Sequence, residues 1–173
     1  TTSESSVIVR STSATFAASR AGGVFIPINP VLKPQQIAHI LEDSGARCLV
    51  TNSTEASRLA EAVTVPAGLT VVEADAPLPE AAAPPPAIGI AKDLAAILYT
   101  SGSTGTPKGV MLSHANLLAG TRIVRTYLEI GPDDRILSIL PFSFDYGLNQ
   151  LLTAVEQGAT IVLASFQLGD QIV

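Results

Sequence analysis

The chain has 173 residues, 47% of them apolar and 14% charged, with a mean hydropathy of +0.39; it can bury one sizeable core and is too apolar for general disorder. A net charge of −5 with no basic stripe excludes nucleic acid as the default partner. No apolar run approaches the ~18 residues of a transmembrane helix, and the single cysteine, Cys48, forms no internal disulfide, which fits a reducing, cytoplasmic setting. So low a charged fraction also points to surface that something else covers.

The polar start, residues 1–6, has neither the basic nor the apolar region of a signal peptide and no initiator Met, so a chain processed or cut from something longer is expected. Val7-Ile8-Val9 reads as a short strand. Residues 14–20 read as the end of a helix, with Gly22-Gly23 just past its last turn. Residues 24–28 are apolar, but Pro27 removes a ladder donor, which makes them an edge strand or extended segment. Pro34 opens a helix whose Ile37, Ile40 and Leu41 form one stripe, ended by Gly45; His39 falls on its polar, solvated face. Residues 47–51 form the next strand, with Cys48 buried and inert. Asn52-Ser53-Thr54 cap a helix over 55–63, and 69–72 is another strand.

Residues 73–87 are Ala, Pro and acid, including Pro84-Pro85-Pro86, and read as a solvated connector. A strand over 94–100 then feeds a Gly/Ser/Thr loop, and 109–112 is the strand that leaves it. Ser113 caps a helix over 114–128, a turn follows at Gly131-Pro132-Asp133-Asp134, and 135–140 is a strand. A helix over 146–156 closes at Gly158, and 160–163 is the last strand. This alternation predicts an α/β fold with a largely parallel sheet.

The loop concentrates the chemistry. Glycines 102 and 105 permit tight turns and close approach to a ligand, Ser101, Ser103, Thr104 and Thr106 supply hydroxyl donors, and Lys108 supplies a compact positive charge. Such a set suits a polyphosphate. It is not a Walker A loop: Pro107 stands where the second Gly belongs and Gly109 where Ser or Thr belongs. Two strand-like flanks argue against a Ser/Gly linker.

Taken whole, Tyr99-Thr100-Ser101-Gly102-Ser103-Thr104-Gly105-Thr106-Pro107-Lys108-Gly109-Val110 resembles the AMP-binding signature of the adenylate-forming superfamily: acyl-CoA synthetases, peptide-synthetase adenylation domains and luciferases. Residues 19–30, an Ala-Gly step into an apolar run and then Asn29-Pro30, resemble the family's upstream segment. Leu140-Pro141-Phe142-Ser143-Phe144-Asp145-Tyr146-Gly147 resembles the segment that carries an aromatic gate over the acyl pocket. The resemblance spans residues 14–165. It implies a partial AMP-binding N-terminal domain over 1–173, with the 73–87 connector inside it.

The implied reaction has two steps. A carboxylic acid attacks the α-phosphate of Mg2+-bound ATP, and a thiol, of coenzyme A or a carrier protein's phosphopantetheine arm, then displaces AMP. Thr100, Ser101, Gly102, Ser103, Thr104, Gly105, Thr106 and Lys108 would grip the departing phosphates as charge builds on them. Phe144, Asp145, Tyr146 and Gly147 would line the substrate pocket. The family's Mg2+ glutamate, ribose aspartate and C-terminal catalytic lysine have no match here, and no metal ligand set is expected in this chain. It would therefore need the rest of its N- and C-terminal domains, and should not turn over alone.

Individual residues keep alternatives. Lys108 contacts phosphate or is a solvated surface lysine; Phe144 gates the pocket or joins the core; Phe142 is core. Asp145 pairs with a substrate α-amine, as in amino-acid-activating relatives, or caps the helix that starts at Tyr146, the preferred use. His114 has a structural role. The leading expectation is an acyl-CoA synthetase for a fatty or other organic acid. An amino-acid adenylation domain comes second, and a non-catalytic nucleotide-binding module third.

Overall fold

A computed structural model of the chain describes residues 12–77, 83, 86, 88–101 (Ser101 by its backbone only) and 106–164. The strand expected over 7–9 and most of the connector lie outside these residues. Helix α1 occupies 12–20. It is followed by α2 Pro34–Asp43, β1 Cys48–Thr51, α3 Ser53–Ala62, β2 Thr70–Glu73, β3 Leu94–Ser101, β4 Pro107–Ser113, α4 His114–Leu128, β5 Arg135–Ser138, α5 Asp145–Gln157 and β6 Thr160–Leu163.

Pairing follows from the connections. Parallel neighbours need a crossover element, and α3 and α5 supply it: β1 pairs parallel with β2, and β5 parallel with β6. β3 and β4 are joined by only the five residues 102–106, which leaves room for an antiparallel ladder alone, running from Leu94↔Ser113 to Ser101↔Pro107. The α/β alternation is as expected, and so is parallel pairing in two ladders, while the ladder that carries the loop is antiparallel. Of the apolar run 24–28, only Phe25 pairs, in a parallel bridge to Ala96: its N–H donates to the Ala95 carbonyl at 3.0 Å, and its carbonyl accepts from Ile97 at 3.1 Å. Pro27 accounts for the shortness of this pairing.

β3 is consequently flanked on both edges, and its two faces meet different partners. Side chains alternate across a strand, so Ala96 and Leu98 share one face and Ile97 and Tyr99 the other. The first face joins Phe25 and Leu148 in the buried core, with Ala18, Leu112, Leu117 and Leu152 packed around it. Helices α1, α4 and α5 thus cover that side. The second face meets α2, through Tyr99 and Asp43.

Helix ends follow the expected chemistry with two exceptions. Asn52 Oδ1 accepts from Glu55 N–H at 2.7 Å and caps α3. Ser113 Oγ accepts from Asn116 N–H while Asn116 Oδ1 accepts from Ser113 N–H, a reciprocal box at the start of α4. α2 opens on Pro34 and closes with Gly45 at φ 63°, where Gly45 N–H donates to Glu42 and Ala46 N–H to Leu41. The first exception is α5. Its N-cap is Phe144, without a side-chain bond, so Asp145 is the first helical residue and not the cap. The second is α4, which closes on Glu129 in the left-handed region (φ 56°) with no glycine to relieve it. Cys48 also departs from expectation: at the start of β1, across from Thr70 at the start of β2, it is exposed, and among the described residues β1 pairs with β2 alone.

Candidate active site at the hairpin loop

β3 delivers its last residues to the loop, and β4 takes the chain back. Thr100 lies directly across from Lys108, and Ser101 across from Pro107. Opposed residues project to the same face, and Thr100 follows Leu98 by two, so Thr100 and Lys108 lie on the sheet face that α4 and α5 cover. Thr106 and Lys108 are exposed, as is Thr100. Gly102, Ser103, Thr104, Gly105 and the Ser101 side chain fall outside the described residues. The structure thus places the two ends of the expected phosphate grip and brings Thr100 and Lys108 together.

The second expected cluster sits at the N-terminus of α5. Leu148 belongs to the same core cluster as Leu98, so one turn of helix (about 5.4 Å) separates that shared core from Phe144. Phe144 and Tyr146 are 56% and 73% exposed, which leaves both rings free on the surface. Phe142 is half-buried. Gly147 is buried, and a Cβ there would overlap the carbonyl oxygens of Pro141 and Leu140. Its bareness lets α5 start against the backbone of the preceding turn. Asp145 is exposed, and its carboxylate has no hydrogen-bond or ion-pair partner among the described residues. At the first turn it also lies in the favourable field of the helix N-terminus.

On the other face, Asp43, which sequence reasoning passed over, and His39, expected to be solvated, bond to the two strands of the hairpin. Tyr99 O–H donates to Asp43 Oδ2 at 2.6 Å. Burial, then the bond to Asp43 and its charge, push the Tyr99 phenol up to about 12. His39 is not simply solvated: its Nε2 lies 3.2 Å from the Pro107 carbonyl. A carbonyl only accepts, so that nitrogen carries the proton. The signal in the sequence was the i, i+4 spacing of His39 and Asp43, which puts them on one face of α2. Nothing in the sequence names their partners, 68 and 56 residues away.

His114 is the first residue of α4; its backbone N–H donates to Asp93 at 3.1 Å. Its side chain lines an open apolar groove with Phe16, Phe25, Leu117 and Leu152. Among the described residues, no group of three or more His, Cys, Asp or Glu side chains could hold a metal. No helix among the described residues is long and apolar enough to cross a membrane.

Among the described residues, Thr100 and Lys108 thus form an exposed cross-strand pair on an α/β scaffold, and Phe144 and Asp145 are exposed at the start of α5. The chain belongs to the AMP-binding enzyme family, whose pattern matches residues 8–171. It is 39% identical over 151 residues to phosphinothricin tripeptide synthetase PhsC of Streptomyces viridochromogenes, an alignment covering 87% of this chain and 14% of that protein. Its fold is similar to o-succinylbenzoate CoA synthetase (MenE) of Bacillus subtilis, solved with the acyl-adenylate OSB-AMP: TM-score 0.77, 30% identity, 91% of this chain and 41% of that one. It is also similar to ATP-bound MatB of Rhodopseudomonas palustris, with TM-score 0.72, 30% identity, and 92% and 33% coverage. The chain therefore spans well under half the length of each.

Proposed function

We propose that this chain supplies the ATP-phosphate grip and part of the acid pocket of an enzyme that activates an amino acid as its adenylate and passes it to a carrier-protein thiol. In the first step a carboxylate oxygen of the substrate bonds to the α-phosphorus of ATP, and the bond to pyrophosphate breaks. In the second, the thiol sulfur bonds to the acyl carbon, and AMP leaves with the electron pair. Lys108 and the hydroxyls of Thr100, Ser101, Ser103, Thr104 and Thr106 would stabilise the charge that grows on the leaving pyrophosphate. Gly102 and Gly105 would let the loop follow it out. Phe144 would border the substrate's side chain, with Tyr146 beside it.

The observation that carries the choice of substrate is the uncommitted carboxylate of Asp145. The residue does not cap α5, so its charge is available to an ammonium group, and such a pair is strong where water is excluded. Similarity to a peptide synthetase supports the same choice. An acyl-CoA synthetase acting on an organic acid, with coenzyme A as acceptor, is the second reading, supported by the likeness to MenE and MatB. A domain organisation in which 1–173 is part of a larger N-terminal domain, with 73–87 a connector inside it, fits both.

Carboxylate-dependent exchange of pyrophosphate into ATP by the complete gene product separates them. Amino acids should support exchange and simple organic acids should not, and Asp145→Ala should abolish the amino-acid response. Exchange with organic acids only, untouched by Asp145→Ala, would favour the coenzyme A reading. Exchange with neither class would leave a nucleotide-binding module. Lys108→Ala should weaken ATP use with the fold intact, and unchanged kinetics would remove its assigned role.

A further inference from the structure

We infer that His39 and Asp43 are positioning residues that fix the two strand ends flanking the phosphate loop, and with them Lys108, by gripping both strands of the hairpin from one face of α2; this rests on the loop being the grip on ATP. The two side chains stand one turn apart. His39 Nε2 donates to the carbonyl of Pro107, the first residue after the loop, at 3.2 Å. Asp43 Oδ2 accepts from the hydroxyl of Tyr99, two residues before the end of β3, at 2.6 Å. One bond lies on each strand, at the mouth of the loop.

The anchor itself is firm. Ile40 and Leu41, between the two gripping residues, are 1% and 2% exposed, and the helix is closed by a paired C-terminal turn just beyond Asp43. Without α2, the last ladder pairs, Thr100↔Lys108 and Ser101↔Pro107, would lie at the turn end of a two-stranded ribbon, held among the described residues by the ladder alone. Lys108 follows Pro107 directly, so a slip of the Pro107 carbonyl moves the lysine that meets the phosphates. Transition-state contacts are intolerant of such slips: about 1 Å of misplacement is enough to cost as much as 10²-fold in rate. Neither His39 nor Asp43 needs to touch the nucleotide for this.

Steady-state exchange kinetics on the complete gene product test the inference. His39→Ala and Asp43→Ala should each raise the KM for ATP about three- to tenfold, the range that loss of one hydrogen bond allows, while the KM for the carboxylic acid stays put. His39→Gln, whose amide can still donate to Pro107, should recover most of the loss. Tyr99→Phe should reproduce Asp43→Ala, and combining the two should add little. An ATP KM that does not change in the folded variants overturns the inference, as does an acid KM that rises in step with it. Should Asp43→Ala fail to fold, Tyr99→Phe, which removes only a hydroxyl, decides the point alone. Lys108→Ala, run in parallel, keeps the two questions apart. If it raises the ATP KM and the α2 variants do not, only the positioning role falls. If it changes nothing, the reading of the loop falls and this inference with it.

Discussion

Gly109 illustrates how one position carries meaning that the motif does not explain. It lies directly across from Tyr99, and a Cβ built on it would stand 2.6 Å from Ile97 Cγ2 and 3.2 Å from Tyr99 Cζ. The bare backbone lets the Tyr99 ring lie over the strand and reach Asp43. Gly109→Ala should therefore displace the ring and destabilise the protein by about 1–3 kcal/mol, the usual cost of overpacking, readable as a lower urea midpoint. An unchanged midpoint would mean the ring has room to move. The resemblance alone marks this glycine as part of the loop signature; its physical task is packing, and only the cross-strand register reveals that. Asp145 makes the complementary point. A shift of one residue in the helix start separates a cap from an outward-facing carboxylate, and sequence patterns do not resolve helix ends so finely.

At the scale of elements, most of the chain was legible, because the signals are local. Pro34, Asn52, Ser113 and Gly158 each mark a helix end for a reason that acts within a few residues: a missing donor, a side-chain acceptor, or a permissive φ. Strands β3 and β6 and helix α4 fall where the apolar runs put them. The contrast between two helix starts is testable. Asn52→Ala removes a real cap and should cost about 0.5–2 kcal/mol in thermal or chemical unfolding. Asp145→Ala removes no cap bond and should cost clearly less, while affecting substrate use as argued above. Equal losses would restore a capping role to Asp145. Strand 135–140 ends early, at Ser138, since β6 pairs with only four residues of β5.

At the scale of the molecule, Tyr99 and Asp43 join elements 56 residues apart, and this contact has a pH signature. The folded protein raises the Tyr99 pKa from 10.0 to about 12. The protonated phenol is the form that the fold favours, so its contribution is fully present below pH 10.0 and is lost as pH rises towards about 12. Unfolding free energies measured across that window should fall more steeply for the natural protein than for Tyr99→Phe, which has no such proton to lose. Parallel slopes would show that Tyr99 ionises as freely folded as unfolded.

By itself the sequence determined the alternation of helices and strands, the loop between two of those strands, and the family that its twelve-residue signature resembles. Each of these rests on periodicity, turn chemistry or residue type within a short window. The tertiary structure alone decided which elements cover each face of β3, and that Asp43 and His39 are engaged by the hairpin strands. Those outcomes depend on contacts between residues tens of positions apart, and no local pattern encodes which distant partner a side chain will meet.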